Sequence, residues 1–379
     1  MKIIHIVTGL GDGGAEHTLF KICKYDIKNK HIVISFKRYG KYFSLLNKLG
    51  IKVYCLNASF FSIHKFFFLI KLLQSLKPDI VQTWLVHADF IGSIAARLAG
   101  IKKILWNVRY SNIEIDKSKL TTILIIKVLA KLSYIIPEMI VIVSKKAKKI
   151  YESKGYDKRK LKFIPNGYDL SNLKGSEGQK IDFQKKIKIK KQIPLIGYVA
   201  RYDPLKDHLN LLNALSLIRL KGKDFFCILV GSNINKNKIL INEIKKLKLN
   251  NCIRLLGPVK NVSKVMNLLD IHVQSSASEG FPNVVAEAMV HKTPCVVTNV
   301  GDSSYIVGKT GWVVPPNDSV KLAKAIETAF NEIGTKNWNK KCNEARVRIK
   351  QKFSLSKMIK SYNKVWIKVF KKNDKQSKV

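Results

Sequence analysis

Short apolar runs alternate with longer helical segments along the first half of this chain. The runs are IIHIV (3–7), HIVIS, KVYCL, DIVQT, KKILWNV, MIVIV and LKFIP, and helical stretches such as 64–76, 88–99 and 118–135 lie between them. Continuous apolar runs are typical of parallel strands that are buried on both faces, with helices as the connections. The pattern therefore predicts a parallel βαβ sheet covered on both sides.

A lysine-rich stretch with little periodicity, at about 174–192, interrupts this alternation. The pattern then restarts with PLIGYVA, FFCILVG, CIRLLG, IHVQS and PCVVT. A chain of 379 residues is long enough for two domains. We expect an α/β protein with two Rossmann-like domains, residues 1–185 and 186–355, that face a central cleft, followed by a C-terminal helix and basic tail at 356–379.

The segment 339–371 has the spacing of a helix with one apolar face. Tyr362, Val365, Trp366 and Val369 fall three or four positions apart. Such a face must be buried against another part of the protein. We expect it to pack back onto the first domain.

The chain is strongly basic, with 69 Lys and Arg against 26 Asp and Glu and a formal net charge of +43. This excess favours anionic partners, either membrane head groups or nucleic acid, and a coding bias toward lysine is an alternative explanation. No zinc-finger spacing, RNA-binding signature or arginine-rich stripe is present, so no specific nucleic acid is expected. The six cysteines form no CxxC pair, the first strand starts at once, and no apolar run reaches about 18 residues. These features predict a cytoplasmic protein with reduced thiols, no cleaved leader and no membrane span.

The stretch SEGFPNVVAEAM (278–289) places Glu279 and Glu287 around a predicted helix start. Pro282 favours the first helical turn, and the backbone N–H groups at about 280–284 would point out of that helix end, where phosphate binds well. Carboxylates there can accept hydrogen bonds from sugar hydroxyls. The alternative is that the two acids interact only with the dipole of their own helix.

A second loop between a strand and a helix, in ARYDPLKDH (200–208), carries two cations. Arg201 follows the strand directly, and Lys206 stands at the helix start. Together they could hold a diphosphate, Arg201 by its planar fork and Lys206 as a point charge. The alternative is a surface pairing of Lys206 with Asp203 or Asp207.

These motifs, in this order and spacing, resemble those of the retaining glycosyltransferases with the GT-B fold, of the large family 4 type. The resemblance covers nearly the whole chain. Its carriers are GDGGAE (11–16), IPNGYD (164–169), ARYDPLKDH, LLGPV (255–259), SEGFPNVVAEAM, and GDSSYIV with GWVVPP (301–316). It implies that residues 1–185 bind an acceptor and residues 186–355 bind a nucleotide-diphosphate sugar, UDP-linked by family frequency, without any separate cofactor.

The resemblance also implies roles for single residues. Arg201 and Lys206 would hold the donor diphosphate, Glu279 would contact hydroxyls of the donor sugar, and Glu287 would hold the ribose. Further donor-binding candidates are Gly280, Phe281, Pro282, Asn283, Val259 and Gly14. The chain has no Asp-x-Asp metal signature. This agrees with a metal-independent transfer in which the protein positions the substrates and stabilises charge on the leaving phosphate.

The acceptor-side candidates lie in the first domain and are Gly11, Gly13, His87, Arg109 and Asn166. The glycines would allow a close approach of the backbone to a ligand, or would only make a tight connection between strand and helix. Their spacing is not G-x-G-x-x-G, so NAD binding is not expected. Many relatives carry a histidine at the end of the strand KKILWNV, where this chain has Arg109. His87 is the nearest histidine on a loop, and it is either a catalytic candidate or a satisfied residue at a helix start.

Two very apolar stretches, 59–78 and 119–136, carry lysines at intervals. They are either core helices or an amphipathic surface on the inner face of the cytoplasmic membrane. The second possibility suggests a glycan or lipid-linked acceptor in polysaccharide or lipopolysaccharide assembly, with peripheral contact to anionic membrane. Two other functions stay open here: a GT-B nucleotide-sugar epimerase, which needs no acceptor, and a non-enzymatic basic protein that binds membranes or nucleic acid. The set Arg201, Lys206, Glu279 and Glu287 disfavours the last.

Overall fold

A computed structural model describes residues 1–57, 62–109, 120–171 and 193–372 and divides the chain into two compact units. The first unit holds residues 1–167 together with the segment from Leu355 onward, and the second holds Tyr168–Ser354. The chain therefore leaves the first unit and returns to it near its C-terminal end. The stretch expected to be the linker, about 174–192, and the boundary expected at 185/186 lie outside the described residues.

The first unit is a parallel sheet with helices on both faces. Its strands are β1 (Lys2–Val7), β2 (Lys30–Ser35), β3 (Lys52–Cys55), β4 (Ile80–Trp84), β5 (Ile104–Val108), β6 (Met139–Ile142) and β7 (Leu161–Phe163). They lie in the order β3-β2-β1-β4-β5-β6-β7. The helices are α1 (Gly14–Tyr25), α2 (Lys41–Lys48), α3 (Ile63–Leu76), α4 (Val86–Leu98), α5 (Leu120–Leu132) and α6 (Lys145–Ser153). Each predicted apolar run is a strand of this sheet, which confirms the βαβ prediction.

Side chains along each strand alternate between two apolar cores. Ile4 and Ile6 of β1 face one core, and Ile3 and Val7 face the other. This alternation explains why the strand is apolar at nearly every position, since a parallel sheet covered on both faces has no solvent side.

The last described helix of the chain closes the second of these cores. Its buried residues are Leu355, Met358, Tyr362, Val365, Trp366 and Val369, and they pack against the first sheet. Trp366 Nε1 also donates a hydrogen bond of 2.7 Å to Gln82 Oε1 on β4. Burial of six such side chains contributes on the order of 10 kcal/mol of transfer free energy. The expectation that the terminal apolar face packs on the first domain is confirmed.

The terminal segment predicted to be helical at 339–371 consists of two helices. The first ends at Lys352 and the second begins at Leu355. Between them Phe353 turns inward, with its ring centroid 5.8 Å from that of Phe281 and 5.6 Å from that of Tyr305. The Phe353 carbonyl accepts from the Tyr168 N–H at 2.9 Å instead of continuing the helix. Packing and pairing of this one residue therefore break a segment that contains no proline or glycine.

The second unit repeats the architecture with six parallel strands. They are β8 (Leu195–Val199), β9 (Phe226–Val230), β10 (Ile253–Leu256), β11 (Ile271–Gln274), β12 (Cys295–Thr298) and β13 (Trp312–Val314), in the order β10-β9-β8-β11-β12-β13. The helices are α7 (His208–Leu220), α8 (Lys238–Lys246), α9 (Val262–Met266), α10 (Asn283–Val290), α11 (Ser303–Val307), α12 (Ser319–Glu332) and α13 (Lys336–Lys352), and α14 (Leu355–Lys372) completes the first unit. Side chains of Asp207, Asn237, Asn261, Asp318 and Thr335 cap helix starts in this unit. Two parallel Rossmann-like sheets are thus confirmed.

All six cysteines are free thiols. No helix within the four described ranges combines the length and the apolar content that crossing a bilayer requires. The eighteen-residue α14, for example, carries lysine on each of its turns away from the core.

Candidate functional site

The strand order of the second sheet reverses direction between β8 and β11. In open α/β sheets the connections diverge at such a switch point and leave a crevice beyond the carboxyl ends of the two strands, where ligands bind. The loop after β8 carries Arg201 and Lys206, and the loop after β11 carries Glu279. The candidate donor residues therefore lie at the switch point of this unit.

The loop after β8 is built around Asp203. Its Oδ1 accepts the Leu205 N–H at 2.9 Å and caps a 3₁₀ turn at Pro204–Lys206, while its Oδ2 lies 2.8 Å from Arg201 Nη2. Burial alone would raise the pKa of the Asp203 carboxyl, but the hydrogen bonds from Arg201 and Leu205 outweigh it and hold the pKa below its usual range. Arg201 itself is 67% exposed, so its guanidinium stands at the surface of the loop.

Lys206 and Glu279 form an ion pair across the switch point. Lys206 Nζ lies 2.7 Å from Glu279 Oε1, and the two side chains are only 23% and 11% exposed. The Ser276 hydroxyl donates to the same carboxylate oxygen at 2.8 Å. The alternative pairing of Lys206 with Asp203 or Asp207 is not what the structure shows, because Nζ is directed at Glu279 and Asp203 is held by Arg201.

Hydroxyl groups that the sequence analysis did not single out hold this arrangement. Tyr198 Oη on β8 donates to the Lys206 carbonyl at 2.7 Å and lies 2.9 Å from Ser276 Oγ. Ser275 Oγ donates to the Asp207 carbonyl at 2.8 Å, and the Ala277 N–H donates to the Leu205 carbonyl at 2.9 Å. The signal in the sequence was the pair of serines directly after β11.

The turn at 280–282 and the start of α10 follow Glu279 directly. Pro282 is the N-cap residue of α10, one position before the first turn where it was predicted, and Glu287 is a half-buried residue of that helix. Phe281 is buried, and Asn283 Oδ1 accepts the Tyr168 hydroxyl at 2.6 Å. The Gly280 carbonyl accepts the Asp302 N–H at 2.8 Å.

A glycine is required where the loop after β12 crosses this turn. Gly301 has a φ of +52°, and a Cβ there would lie 2.4 Å from the Gly280 carbonyl oxygen and 2.5 Å from that of Glu279. Both distances are too short for any side chain. Val259, a further donor-side candidate, is half-buried just beyond the carboxyl end of β10.

The first unit has its own switch point, between β1 and β4. The loop after β1 contains Gly11 and Gly13, and Gly13 is the N-cap residue of α1, which Gly14 begins. The loop after β4 leads through Leu85, held at a φ of +72°, to His87 in the first turn of α4. Burial and the nearby Lys37 lower the pKa of His87, so its imidazole is neutral at pH 7.

Arg109 and Asn166, the remaining acceptor-side candidates, lie together in the first unit. Arg109 Nη1 donates to Asn166 Oδ1 and, at 3.1 Å, to Thr18 Oγ1, and Nη2 donates to Tyr362 Oη at 2.9 Å. Nε donates to Asn107 Oδ1 at 3.1 Å. The guanidinium is thereby hydrogen-bonded to residues of β5, of α1, of the loop that contains Asn166, and of α14.

One group within the described residues has the spacing of metal ligands: His5, Cys23 and His31, all buried. The hydrogen bonds assign its protons. The Trp84 indole N–H can only donate, so His5 Nδ1 accepts it at 3.2 Å, His5 Nε2 donates to His31 Nδ1 at 2.9 Å, and His31 Nε2 donates to Asp26 at 3.1 Å. A metal on His5 Nε2 would need a proton on Nδ1, directly against the indole N–H. The group fits a satisfied core network and does not fit a metal site.

Two family models match the chain. The model described as Glycosyltransferase Family 4 matches residues 12–172, and the model described as Glycosyl transferases group 1 matches residues 179–347. The first range spans most of the first unit, and the second spans the whole sheet of the second unit.

Individual proteins are similar over most of their length. The UDP-Gal:alpha-D-GlcNAc-diphosphoundecaprenol alpha-1,3-galactosyltransferase of Escherichia coli is 25% identical over 304 residues, which are 79% of this chain and 78% of that protein. The capsular polysaccharide biosynthesis glycosyltransferase CapM of Staphylococcus aureus is 26% identical over 271 residues, 70% of each chain.

A solved structure shows the same fold. Alr3699/HepE of Anabaena, crystallised in complex with UDP, is 21% identical and superposes with a TM-score of 0.86 over 96% of this chain and 99% of that chain. The architecture is that of the GT-B fold. Together the motif order, the two sheets and the two family models lead to one conclusion. The chain belongs to the family 4 glycosyltransferases and is an enzyme of their retaining hexosyltransferase type.

Proposed function

We propose that this enzyme transfers a hexose from a UDP-sugar to a glycan or lipid-linked acceptor in the biosynthesis of a cell-surface polysaccharide. The observation that carries the proposal is the Lys206–Glu279 pair at the switch point of the second sheet. It places a cation suited to a diphosphate beside a carboxylate suited to sugar hydroxyls. The E. coli relative is named for UDP-Gal and a diphosphoundecaprenol-linked acceptor, CapM for capsular polysaccharide, and the Anabaena structure holds UDP. These names support the nucleotide and the acceptor class.

In this proposal the donor diphosphate lies over Lys206 and Arg201. The exposed Arg201 fork can leave Asp203 and turn to a phosphate, because an exposed ion pair costs little to break. The start of α10 adds backbone N–H groups and the positive end of its dipole. Glu279 accepts hydrogen bonds from hydroxyls of the sugar, and Glu287 accepts them from hydroxyls of the ribose.

The reaction then breaks the bond between the anomeric carbon and the diphosphate oxygen. A bond from the acceptor oxygen to the same carbon forms on the same face of the sugar, and the acceptor proton passes to the leaving diphosphate. No strong protein base is needed. Transfer is metal-independent in this proposal, because Arg201, Lys206 and the start of α10 stabilise the charge on the leaving group. Preorganised cations and dipoles are well suited to this task.

The acceptor is assigned to the first unit, at the switch point that carries Gly11, Gly13 and His87. A neutral His87 can donate or accept a hydrogen bond at an acceptor hydroxyl. Arg109 and Asn166 are assigned to the acceptor side as well, and Arg109 joins them to α1 through its hydrogen bond to Thr18.

Contact of the first unit with anionic membrane on the cytoplasmic side is part of the proposal. The helices α3 and α5 both pack against α4, and both bury leucine or isoleucine in the core. They also expose large apolar side chains: Ile63, Phe67 and Phe68 on α3, and Leu124 and Val128 on α5. Exposed lysines lie among them, Lys71 on α3 and Lys127 and Lys131 on α5. Apolar anchors between cations suit the interface of an anionic bilayer.

A thermal-shift panel of UDP, GDP, ADP and their common sugar conjugates tests the donor site. A ligand at 100 times its dissociation constant stabilises the folded protein by about 2.7 kcal/mol. We expect a selective shift with UDP and its sugars that is lost in Lys206→Ala and Glu287→Ala. Lys246→Ala, which removes a 75% exposed partner of Glu243 on α8, is the matched control and should keep the shift. A folded wild-type protein that responds to no nucleotide would refute the proposal.

Transfer itself is followed as UDP release that requires an acceptor. Lys206→Ala should lose on the order of 10²-fold in kcat, as expected when a group that stabilises transition-state charge is removed. Near-normal transfer by this variant would take Lys206 out of the mechanism.

Sedimentation with vesicles tests the membrane contact. The protein should pellet with anionic vesicles and not with neutral ones, and Lys71→Glu with Lys127→Glu should weaken pelleting. Equal pelleting with neutral vesicles would contradict the electrostatic part, and no pelleting with either would contradict the contact as a whole.

A further inference from the structure

We infer that Tyr198 and Ser276 are positioning residues of the donor site, whose hydroxyls fix the lysine for the diphosphate and the carboxylate for the sugar relative to each other. The inference rests on the proposed function and deepens it. Neither residue would touch the substrate. Each would act through Lys206 or Glu279.

The two hydroxyls form a continuous chain across the switch point. Ser276 Oγ lies 2.8 Å from Glu279 Oε1, Tyr198 Oη lies 2.9 Å from Ser276 Oγ, and the Lys206 carbonyl lies 2.7 Å from Tyr198 Oη. Tyr198 belongs to β8 and Ser276 to the loop after β11, so the chain joins the two connections that diverge at this point.

The direction of each hydrogen bond follows from the groups at the two ends. The Glu279 carboxylate, paired with Lys206, only accepts, so Ser276 gives its one proton to Glu279. The Lys206 carbonyl also only accepts, so the Tyr198 proton points toward it and is shared with Ser276 Oγ as a three-centre bond. Burial raises the pKa of Tyr198, so the phenol keeps this proton at neutral pH.

Both residues are buried, Tyr198 at 1% exposure and Ser276 at 0%. A buried hydroxyl strongly restricts the positions of the groups to which it is hydrogen-bonded. If the hydroxyl is removed, no water takes its place. Ser276 restrains the carboxylate alone. Tyr198 restrains the turn that carries Lys206 and, through Ser276, the carboxylate as well. The two residues should therefore have different effects on the two parts of the donor.

Binding of UDP and of UDP-galactose, measured by calorimetry on the full chain, separates these effects. Ser276→Ala should raise the Kd of UDP-galactose about tenfold, as expected for one hydrogen bond to a charged group, and leave the Kd of UDP within about twofold. Tyr198→Phe should raise both Kd values about tenfold. A purely structural role would change both ligands equally in both variants, and that result would overturn the inference.

Thr293→Val is the matched control. Thr293 is also buried, and its hydroxyl donates to the Met266 carbonyl at 2.9 Å. It comes before the amino end of β12, whereas the candidate donor site lies beyond the carboxyl ends of the strands. This variant loses one buried hydrogen bond and should bind both ligands as the wild type does. Weaker binding by this control to the same degree would also overturn the inference.

Hydrogen exchange of the ligand-free protein keeps the test independent of the proposed function. The N–H groups of Ala277 and Ser278 both donate to the Leu205 carbonyl. Their exchange therefore reports on the contact between the loop after β8 and the loop after β11. Their exchange should be faster in Tyr198→Phe and unchanged in Thr293→Val. The wild type could bind neither ligand while Tyr198→Phe still exchanges faster. That result would refute the proposed donor but support the positioning role of Tyr198. Unchanged exchange in Tyr198→Phe would overturn the positioning.

Discussion

Replacing Lys206 by methionine should destabilise the ligand-free protein by about 2 kcal/mol. The change leaves the Glu279 carboxylate, 11% exposed, without its cation at 2.7 Å. Removing one partner of a fully buried pair costs about 3–5 kcal/mol. The 23% exposure of Lys206 lets water reach the vacated position and reduces this figure. Glu279→Gln should cost a similar amount for the converse reason.

The double variant should be little less stable than either single one. A cycle of the four proteins then gives a coupling of about 2 kcal/mol between the two side chains. Lys41 and Asp12 provide the control cycle, because they lie at a similar distance, 2.8 Å, but are 52% and 69% exposed. Their coupling should stay below about 0.5 kcal/mol.

Urea is the suitable denaturant, since guanidinium is itself a salt and would screen the pair. Unfolding of all four proteins is followed in one buffer of low ionic strength. A coupling for Lys206 and Glu279 no larger than that of the control pair would refute the reasoning. The turn at 204–206 would then be held by its backbone and hydroxyl contacts alone.

Three further predictions concern other parts of the chain. Arg109→Leu should lower the stability of the first unit by about 3 kcal/mol, roughly 10 °C in Tm, because Asn107 Oδ1 and Thr18 Oγ1 lose the donor that Arg109 provides; an unchanged melting curve would contradict the network. Gly301→Ala should weaken UDP-sugar binding more than tenfold in calorimetry, since its Cβ would displace the Glu279 carbonyl; binding at wild-type strength would show that the loop moves without cost. His208→Phe should make the protein less sensitive to acid. Burial, and secondarily Lys206, lower the pKa of His208 to about 4, so as pH falls from 6.5 the unfolded chain takes up a proton first and stability is lost, by about 3 kcal/mol at pH 4. Urea unfolding at pH 7 and pH 4.5 checks this, and equal acid sensitivity of both proteins would speak against it.

The sheets could be predicted because their strands are apolar at almost every position. That pattern has one physical cause, burial on both faces, and it needs no knowledge of distant contacts. The strand at 312–314 was not predicted. The packing that divides the two terminal helices at Phe353 had no local signal, because Phe281 and Tyr305 are distant in sequence and no glycine or proline marks the break.

The candidate site could be predicted residue by residue but not as an arrangement. Lys206 and Glu279 each stood out beside a strand end, yet 73 positions separate them, and only the order of the strands brings them together. Tyr198 was counted as one more apolar residue of a strand run. His5 and His31 were missed for the same reason, since a polar residue inside a buried strand gives no local signal of its partner.

The return of α14 to the first unit makes the completion of that unit depend on residues that are synthesised long after its sheet. A ribosome that has finished residue 167 must add about 200 more before Trp366 can reach Gln82, which takes on the order of 10 to 40 s. During that time the second unit can be completed, while the first still exposes the apolar groove that α14 will fill. In the nascent chain the second unit can thus be folded while the first unit, although synthesised earlier, is still incomplete. A chain truncated before Leu355 should keep the second sheet intact, while its first unit would expose that groove and be prone to aggregation.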